Sequence, residues 1–215
     1  MLKTAQRRLD VGRLIMVPAA TLMLCADSMV LTQSTGPGTA GTLRWIGNAL
    51  VGAFYAVIIW AYLRRGPAKS TSTSVVANAA AIIATLSPFA FPLLTGTTGS
   101  VGRELVADVL LVTGTAWSVW SLCSLGRNLS IIAQARDVVE HGPYRWVRHP
   151  LYTGEIVSSL GLAIAADSLA AAGVWVTLVA LQVHRARQEE RILIGTLPAY
   201  AAYRTRTAAL LPGVF

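Results

Sequence analysis

Two clusters in this 215-residue chain carry side chains able to do chemistry. The first is His141-Gly-Pro-Tyr-Arg-Trp-Val-Arg-His-Pro-Leu-Tyr-Thr-Gly154; the second is His184-Arg185-Ala-Arg187-Gln-Glu189-Glu190. Proline is favoured at the first position of a helix, and an apolar run begins directly after Pro150. Pro150 therefore opens a helix whose free N–H groups and positive dipole end can hold an anion. The same residues also read as a membrane boundary, with Tyr144, Trp146 and Tyr152 as interfacial aromatics and the arginines snorkelling. In the second cluster, Arg185 and Glu189 are four apart and share a helix face. As an exposed ion pair that spacing contributes only about 0.3–0.5 kcal/mol, and Arg before Glu is the weaker order. Glu190 and Arg191 read as a solvated face.

The elements that must position these clusters are membrane helices. Hydrophobic residues make up 54% of the chain, charged residues only 13%, and the mean hydropathy is +0.56. A soluble domain carries about 25% charged residues. Lipid is the natural solvent for so apolar a chain, and it demands helices or a closed barrel. Long Ala, Leu, Val and Ile runs choose helices over the ten-residue alternation of a barrel. The expected fold is an all-α, polytopic transmembrane helix bundle. The formal net charge of +8 falls between the apolar runs, where the positive-inside rule explains it without nucleic acid. Cys25 and Cys123 have neither metal-ligand nor disulfide spacing and read as small packing residues. The basic start followed by an apolar run resembles a signal peptide, but it lacks a clear small-x-small cleavage site and reads as an uncleaved first span.

Measured against the roughly 20 residues needed to cross a bilayer, the apolar windows fall at about 12–32, 43–63, 75–94 and 105–125. A polar segment, 126–149, follows. The next apolar stretch, 151–183, would be about 45 Å long as one helix, against a hydrocarbon core of about 30 Å. Asp167-Ser168 interrupts it midway, and Asp suits a turn or N-cap better than a bilayer centre. Charge favours a hairpin over one tilted helix. The N-terminus and the loops after the second and fourth spans are rich in Lys and Arg, which places them in the cytoplasm. A hairpin returns the tail, with Arg185, Arg187, Arg191, Arg204 and Arg206, to that side. The expected architecture is four leading spans in 1–125, then a catalytic region in 126–215 comprising a helical hairpin and a cytoplasmic face. Both termini are expected in the cytoplasm. Asp27 and Asp108 fall inside spans on the opposite side and read as interfacial or structural.

Arg148-His149-Pro150-Leu151-Tyr152-Thr153-Gly154, followed by Glu189-Glu190-Arg191-Ile192-Leu193, resembles the isoprenylcysteine carboxyl methyltransferase family. The related phospholipid N-methyltransferases carry a similar pattern. Leu197-Pro-Ala-Tyr200-Ala-Ala-Tyr203 and the closing Leu211-Pro212 also fit, so the resemblance covers about 134–212. It implies S-adenosylmethionine as methyl donor. By matching motif positions it places Gln134, Arg136, Asp137, Val138, Val139, Tyr144, His149, Pro150, Leu151, Tyr152 and Glu189 around the donor. It turns Arg185 toward the carboxylate of a lipophilic or prenylated acceptor. Arg185, Glu189 and His149 form the expected catalytic group, with no metal.

An ionised carboxylate acceptor needs no general base, so orientation and removal of water would carry the rate. An amine or thiol acceptor, as in a phospholipid methyltransferase, is the near alternative; an amine must lose a proton, with His149 or Glu189 as candidate bases. An NADPH-dependent membrane lipid reductase can share a similar C-terminal pattern. A transporter is the third class, but its polar residues would line the bilayer midplane, whereas these cluster at one face.

Overall fold

A computed structural model describes residues 11–33, 38–64, 70–71, 74–94, 100–129, 134–135 and 137–211. Their helices are α1 (Val11–Gln33), α2 (Thr39–Arg64), α3 (Val75–Leu86), α4 (Val101–Leu125), α5 (Pro150–Ala166), α6 (Leu169–Thr196) and α7 (Pro198–Arg206). A 3₁₀ segment, Ser87–Leu93, extends α3. The fold is the all-α polytopic bundle expected from composition. By length and hydropathy, α1, α2, α4 and α6 can each cross a membrane, whereas Val75–Phe91 and Pro150–Ala166 are shorter apolar helices. Their outward faces are rich in apolar side chains, such as Leu14, Met29, Val76, Ile82 and Val176. Lipid solvates such a surface and water does not.

The 151–183 stretch is a hairpin. Asp167 ends α5 in the left-handed conformation (φ 48°), and Ser168 caps α6 by accepting a hydrogen bond from the Ala171 N–H at 3.1 Å. The turn is therefore shared: Asp supplies the left-handed residue that short polar side chains tolerate, and Ser supplies the cap. Asp167 also pairs with Arg103 at 2.8 Å, and the Ser168 hydroxyl donates to the Leu94 carbonyl at 2.7 Å. These contacts fix the tip of the hairpin against the end of α3's extension and the start of α4.

Packing follows residue size. The most extensive contact in the bundle is between α4 and α5. A Cβ on Gly114 would collide with the Ser158 backbone, and one on Gly154 would meet the Ser118 hydroxyl and the Gly114 carbonyl. Lipid gives no hydrophobic drive for helices to associate, so small residues that allow backbones to close up decide where they pack. Gly114→Val is expected to push α4 from α5 and lower stability by about 1–3 kcal/mol, read as a lower unfolding midpoint in detergent. An unchanged midpoint would contradict this packing.

Two short strands settle which loops share a side. Ser70–Thr71, after α2, pairs antiparallel with Gln134–Ala135, after α4. On that same side Arg13 Nε donates to the Tyr62 carbonyl at 2.9 Å, tying the start of α1 to the end of α2. Val147 bridges to Ala208 there as well. Residues 145 and 204 thus lie on one face, as the hairpin requires. At the opposite face Arg44 holds Glu104 at 2.6 Å and Asp108 at 3.5 Å. Asp108 is part of an ion cluster joining the starts of α2 and α4. Asp27 lies beside Gly52 of α2.

Candidate active site

The two sequence clusters meet where the chain enters α5 and leaves α6. Pro150 occupies the first turn of α5, as its φ restriction favours. His149, just before it, is 5% exposed. Its backbone N–H donates to the Ala209 carbonyl at 3.0 Å, and the Arg148 N–H donates to the Ala208 carbonyl at 2.8 Å. The Thr153 hydroxyl donates to the Leu210 carbonyl at 2.8 Å. The segment after α7 therefore runs alongside the start of α5 and holds it in place.

His149 stacks on Tyr152 with ring centroids 5.4 Å apart and planes 1° from parallel. Tyr152 donates its hydroxyl proton to Glu189 Oε2 at 2.9 Å. His149 Nδ1 lies 3.6 Å from that same oxygen, and Nε2 lies 3.3 Å from Glu190 Oε1. The imidazole is thus clasped between two carboxylates. Burial pushes its pKa down, but the hydrogen bonds and negative charge of Glu189 and Glu190 outweigh that, so the net shift is upward from 6.5. The sign follows: a raised folded-state pKa adds stability below 6.5, and that contribution fades as pH climbs through the folded-state value. Thermal midpoints should fall as pH rises above 6.5, with a shallower slope in His149→Asn. Parallel slopes in the two proteins would refute the clasp.

Glu190 departs from the sequence reading. It is 8% exposed and not on a solvated face. Arg148 Nε reaches Glu190 Oε1 at 2.7 Å, and Arg204 lies 3.6 Å from Oε2. Arg148 also donates to the carbonyls of Arg204, at 3.2 Å, and Thr207. A helical wheel cannot anticipate this, because the tail that covers Glu190 comes from later in the chain. Arg191 is exposed, as expected.

Arg185 sits one turn deeper than Glu189. It is 7% exposed, with its guanidinium carbon 4.6 Å from the Tyr152 ring centroid. It donates to Gln182 Oε1 at 3.0 Å and lies 4.0 Å from Glu155. Gln182 donates in turn to Glu155. A polar layer of Glu155, Gln182 and Arg185 thus underlies the His149–Tyr152–Glu189 group between the hairpin legs.

A cleft on the outer side of this group is lined by Asp137, Val138, Val139, Tyr144, His149 and Glu189, all anticipated. It is also lined by Leu125, Asn128, Arg148, Leu193, Tyr200 and Tyr203, which were not. Tyr200 and Tyr203 bear a warning in sequence, since two tyrosines one turn apart in a short polar helix have little reason to be buried unless something covers them. Both are 3% exposed, and Tyr203 donates to the Tyr144 carbonyl at 2.6 Å. Burial raises the Tyr203 phenol to about 12 and pushes the Tyr144 and Tyr200 phenols up too, so all three stay protonated donors. Tyr152 reaches the site through Glu189, whereas Leu151 packs against the core of Ala61, Tyr62, Leu122 and Leu129. Pro150 is fully buried. Gln134 is described only in its strand pairing, and Arg136 lies outside the described residues. Of the three interfacial aromatics, Trp146 remains one: it is 41% exposed, stacks on Trp117 and meets Trp120 edge-on. Tyr144 and Tyr152 belong to the buried site.

The sequence model of the isoprenylcysteine carboxyl methyltransferase (ICMT) family matches residues 107–195. Over this segment the chain resembles the ICMT family. The match runs from early α4 through the hairpin to the end of α6, so the closely packed α4–α5 pair and both polar clusters lie inside the matched segment. Two curated relatives align over similar lengths. The cobalt-zinc-cadmium resistance protein CzcN of Cupriavidus metallidurans is 38% identical over 76 residues, 35% of each chain. The nickel-cobalt-cadmium resistance protein NccN of Alcaligenes xylosoxydans xylosoxydans is 31% identical over 80 residues, 37% of this chain and 38% of that one. The alignments span little more than a third of either relative.

Proposed function

We propose that this protein is an integral membrane methyltransferase that uses S-adenosylmethionine and methylates the carboxylate of an isoprenylcysteine-like or other lipophilic acceptor. The observation that carries the reading is the convergence of His149, Tyr152 and Glu189 beside a cleft, with Arg185 one turn deeper toward the bilayer. The match of residues 107–195 to the ICMT family model supports it.

The cleft suits such a donor. Glu189 and Asp137 offer carboxylates for an ammonium group or ribose hydroxyls, while Val138, Val139 and Leu193 offer apolar surface for an adenine. Among the described residues the buried Tyr200 hydroxyl has no hydrogen-bond partner, and Tyr200 borders this cleft. Buried hydroxyls are rarely left so, and a bound polar ligand would satisfy it. The donor supplies an electrophilic methyl group on a sulfonium. The protein's own contribution is positioning. Tyr152 and His149 fix the Glu189 carboxylate, and the hairpin excludes water from the acceptor side. Arg185 would hold an acceptor carboxylate by a charge-assisted hydrogen bond. The donor would approach from the cytoplasm and the acceptor from the lipid.

The test is transfer of a labelled methyl group to prenylated thiols and lipid carboxylates in detergent, with titration of S-adenosylmethionine against NADPH. Methyl transfer whose rate does not rise with pH above about pH 6 fits a carboxylate acceptor, which needs no base. NADPH binding without donor binding would overturn the proposal. Arg185→Ala should raise acceptor KM or lower kcat by about 10-fold or more, the cost of one charge-assisted hydrogen bond, with donor affinity changed less. Equal losses in both would remove Arg185 from the acceptor side.

A further inference from the structure

A second cleft opens on the far side of Arg148. It is lined by Arg148, Arg187, Glu190, Arg191, Ile194 and Arg204. Four guanidiniums face one carboxylate, a local excess of three positive charges. That excess already counts Glu190, whose carboxylate is engaged by Arg148 at 2.7 Å, His149 at 3.3 Å and Arg204 at 3.6 Å. Arg187 and Arg191 stand one turn apart on α6 and are exposed, and the Arg204 side chain on α7 is 54% exposed. Two helices thus present convergent guanidiniums to a concave surface, a geometry matched to the oxygens of a phosphate.

Position along α6 selects the source of that phosphate. The apolar run ends at Val183. Arg187 and Arg191 therefore lie about 6 and 12 Å beyond it at 1.5 Å per residue. Bilayer headgroups occupy a layer about 5–8 Å deep on each side of the hydrocarbon, so Arg187 falls within it and Arg191 lies just past it, close enough for its long side chain to reach back. Arg148, two residues before α5 begins, borders the same depth. We propose that this groove binds the phosphate headgroup of an anionic membrane lipid. Arg148 lines both clefts, so a lipid here bears on the network that clasps His149. The inference stands on the groove alone and does not depend on the methyl-transfer reading.

The experiment is thermal unfolding of the full chain in detergent with added short-chain phosphatidylglycerol, short-chain phosphatidylcholine or inorganic phosphate. Phosphatidylglycerol should raise the midpoint saturably at concentrations where the other two do not. Arg187→Gln/Arg191→Gln should weaken that response about 10-fold or more, as expected for lost guanidinium–phosphate contacts. An equal response to phosphatidylcholine, or an undiminished response in the variant, would overturn the proposal. An equal response to inorganic phosphate would also overturn it, by making the groove a soluble-anion site. Should the double variant fail to fold, Arg191→Gln alone, at an exposed helical position, carries the same comparison.

Discussion

Glu189→Gln should weaken S-adenosylmethionine binding by about 10- to 100-fold while changing stability by less than about 1 kcal/mol, since a hydrogen bond to a charged group contributes roughly 1.5–3 kcal/mol. The amide keeps an oxygen able to accept the Tyr152 hydroxyl, so the hairpin legs stay joined. The variant loses the negative charge that faces the cleft and His149. Titration calorimetry and a thermal scan on the same preparation check both halves. Full donor affinity in the variant would remove Glu189 from the donor site.

The neighbouring carboxylate should behave in the opposite way. Glu190→Leu leaves Arg148, 9% exposed, without its ion partner. Breaking a buried pair from one side costs about 3–5 kcal/mol, because the remaining charge stays desolvated. The loss should be larger than that of any surface arginine variant, and Arg148→Lys should not rescue function of the pair. One guanidinium on Arg148 spans Glu190 and the carbonyls of Arg204 and Thr207, which an ammonium cannot do from a single point. Denaturant unfolding of Glu190→Leu with a midpoint close to wild type would refute the structural role. Adjacent glutamates with separate duties follow from helix geometry: a step of one residue turns the side chain by about 100°, so Glu189 meets Tyr152 and Glu190 meets Arg148.

Much of the site was legible because its parts are local. Pro150 opening a helix, His149 just outside it, and Glu189 one turn after Arg185 are statements about spacing, and the structure keeps each of them. What escaped were partners brought from afar. Glu155 and Gln182 face each other across the hairpin, 27 residues apart in the chain. An acid in an apolar helix signals function, but its partner is set by the angle and register of two helices. Tyr200 and Tyr203 lie on a polar-looking helix, and only its docking against Val138, Ile192 and Leu193 buries them.

Composition and run length alone determined that the chain is a bundle of membrane helices, since a polypeptide with so few charges must satisfy its backbone internally in lipid. Charge placement and the Asp167-Ser168 interruption determined the hairpin. Tertiary structure decided which carboxylate is structural and which faces the cleft, how the tail is laced to the start of α5, and that four arginines converge beside Glu190. Those outcomes depend on contacts between residues 40 to 60 positions apart. Local propensity carries no information on such distances, because the pairing is fixed by where whole helices pack, and that is set here by the close approach of α4 to α5 at Gly114 and Gly154.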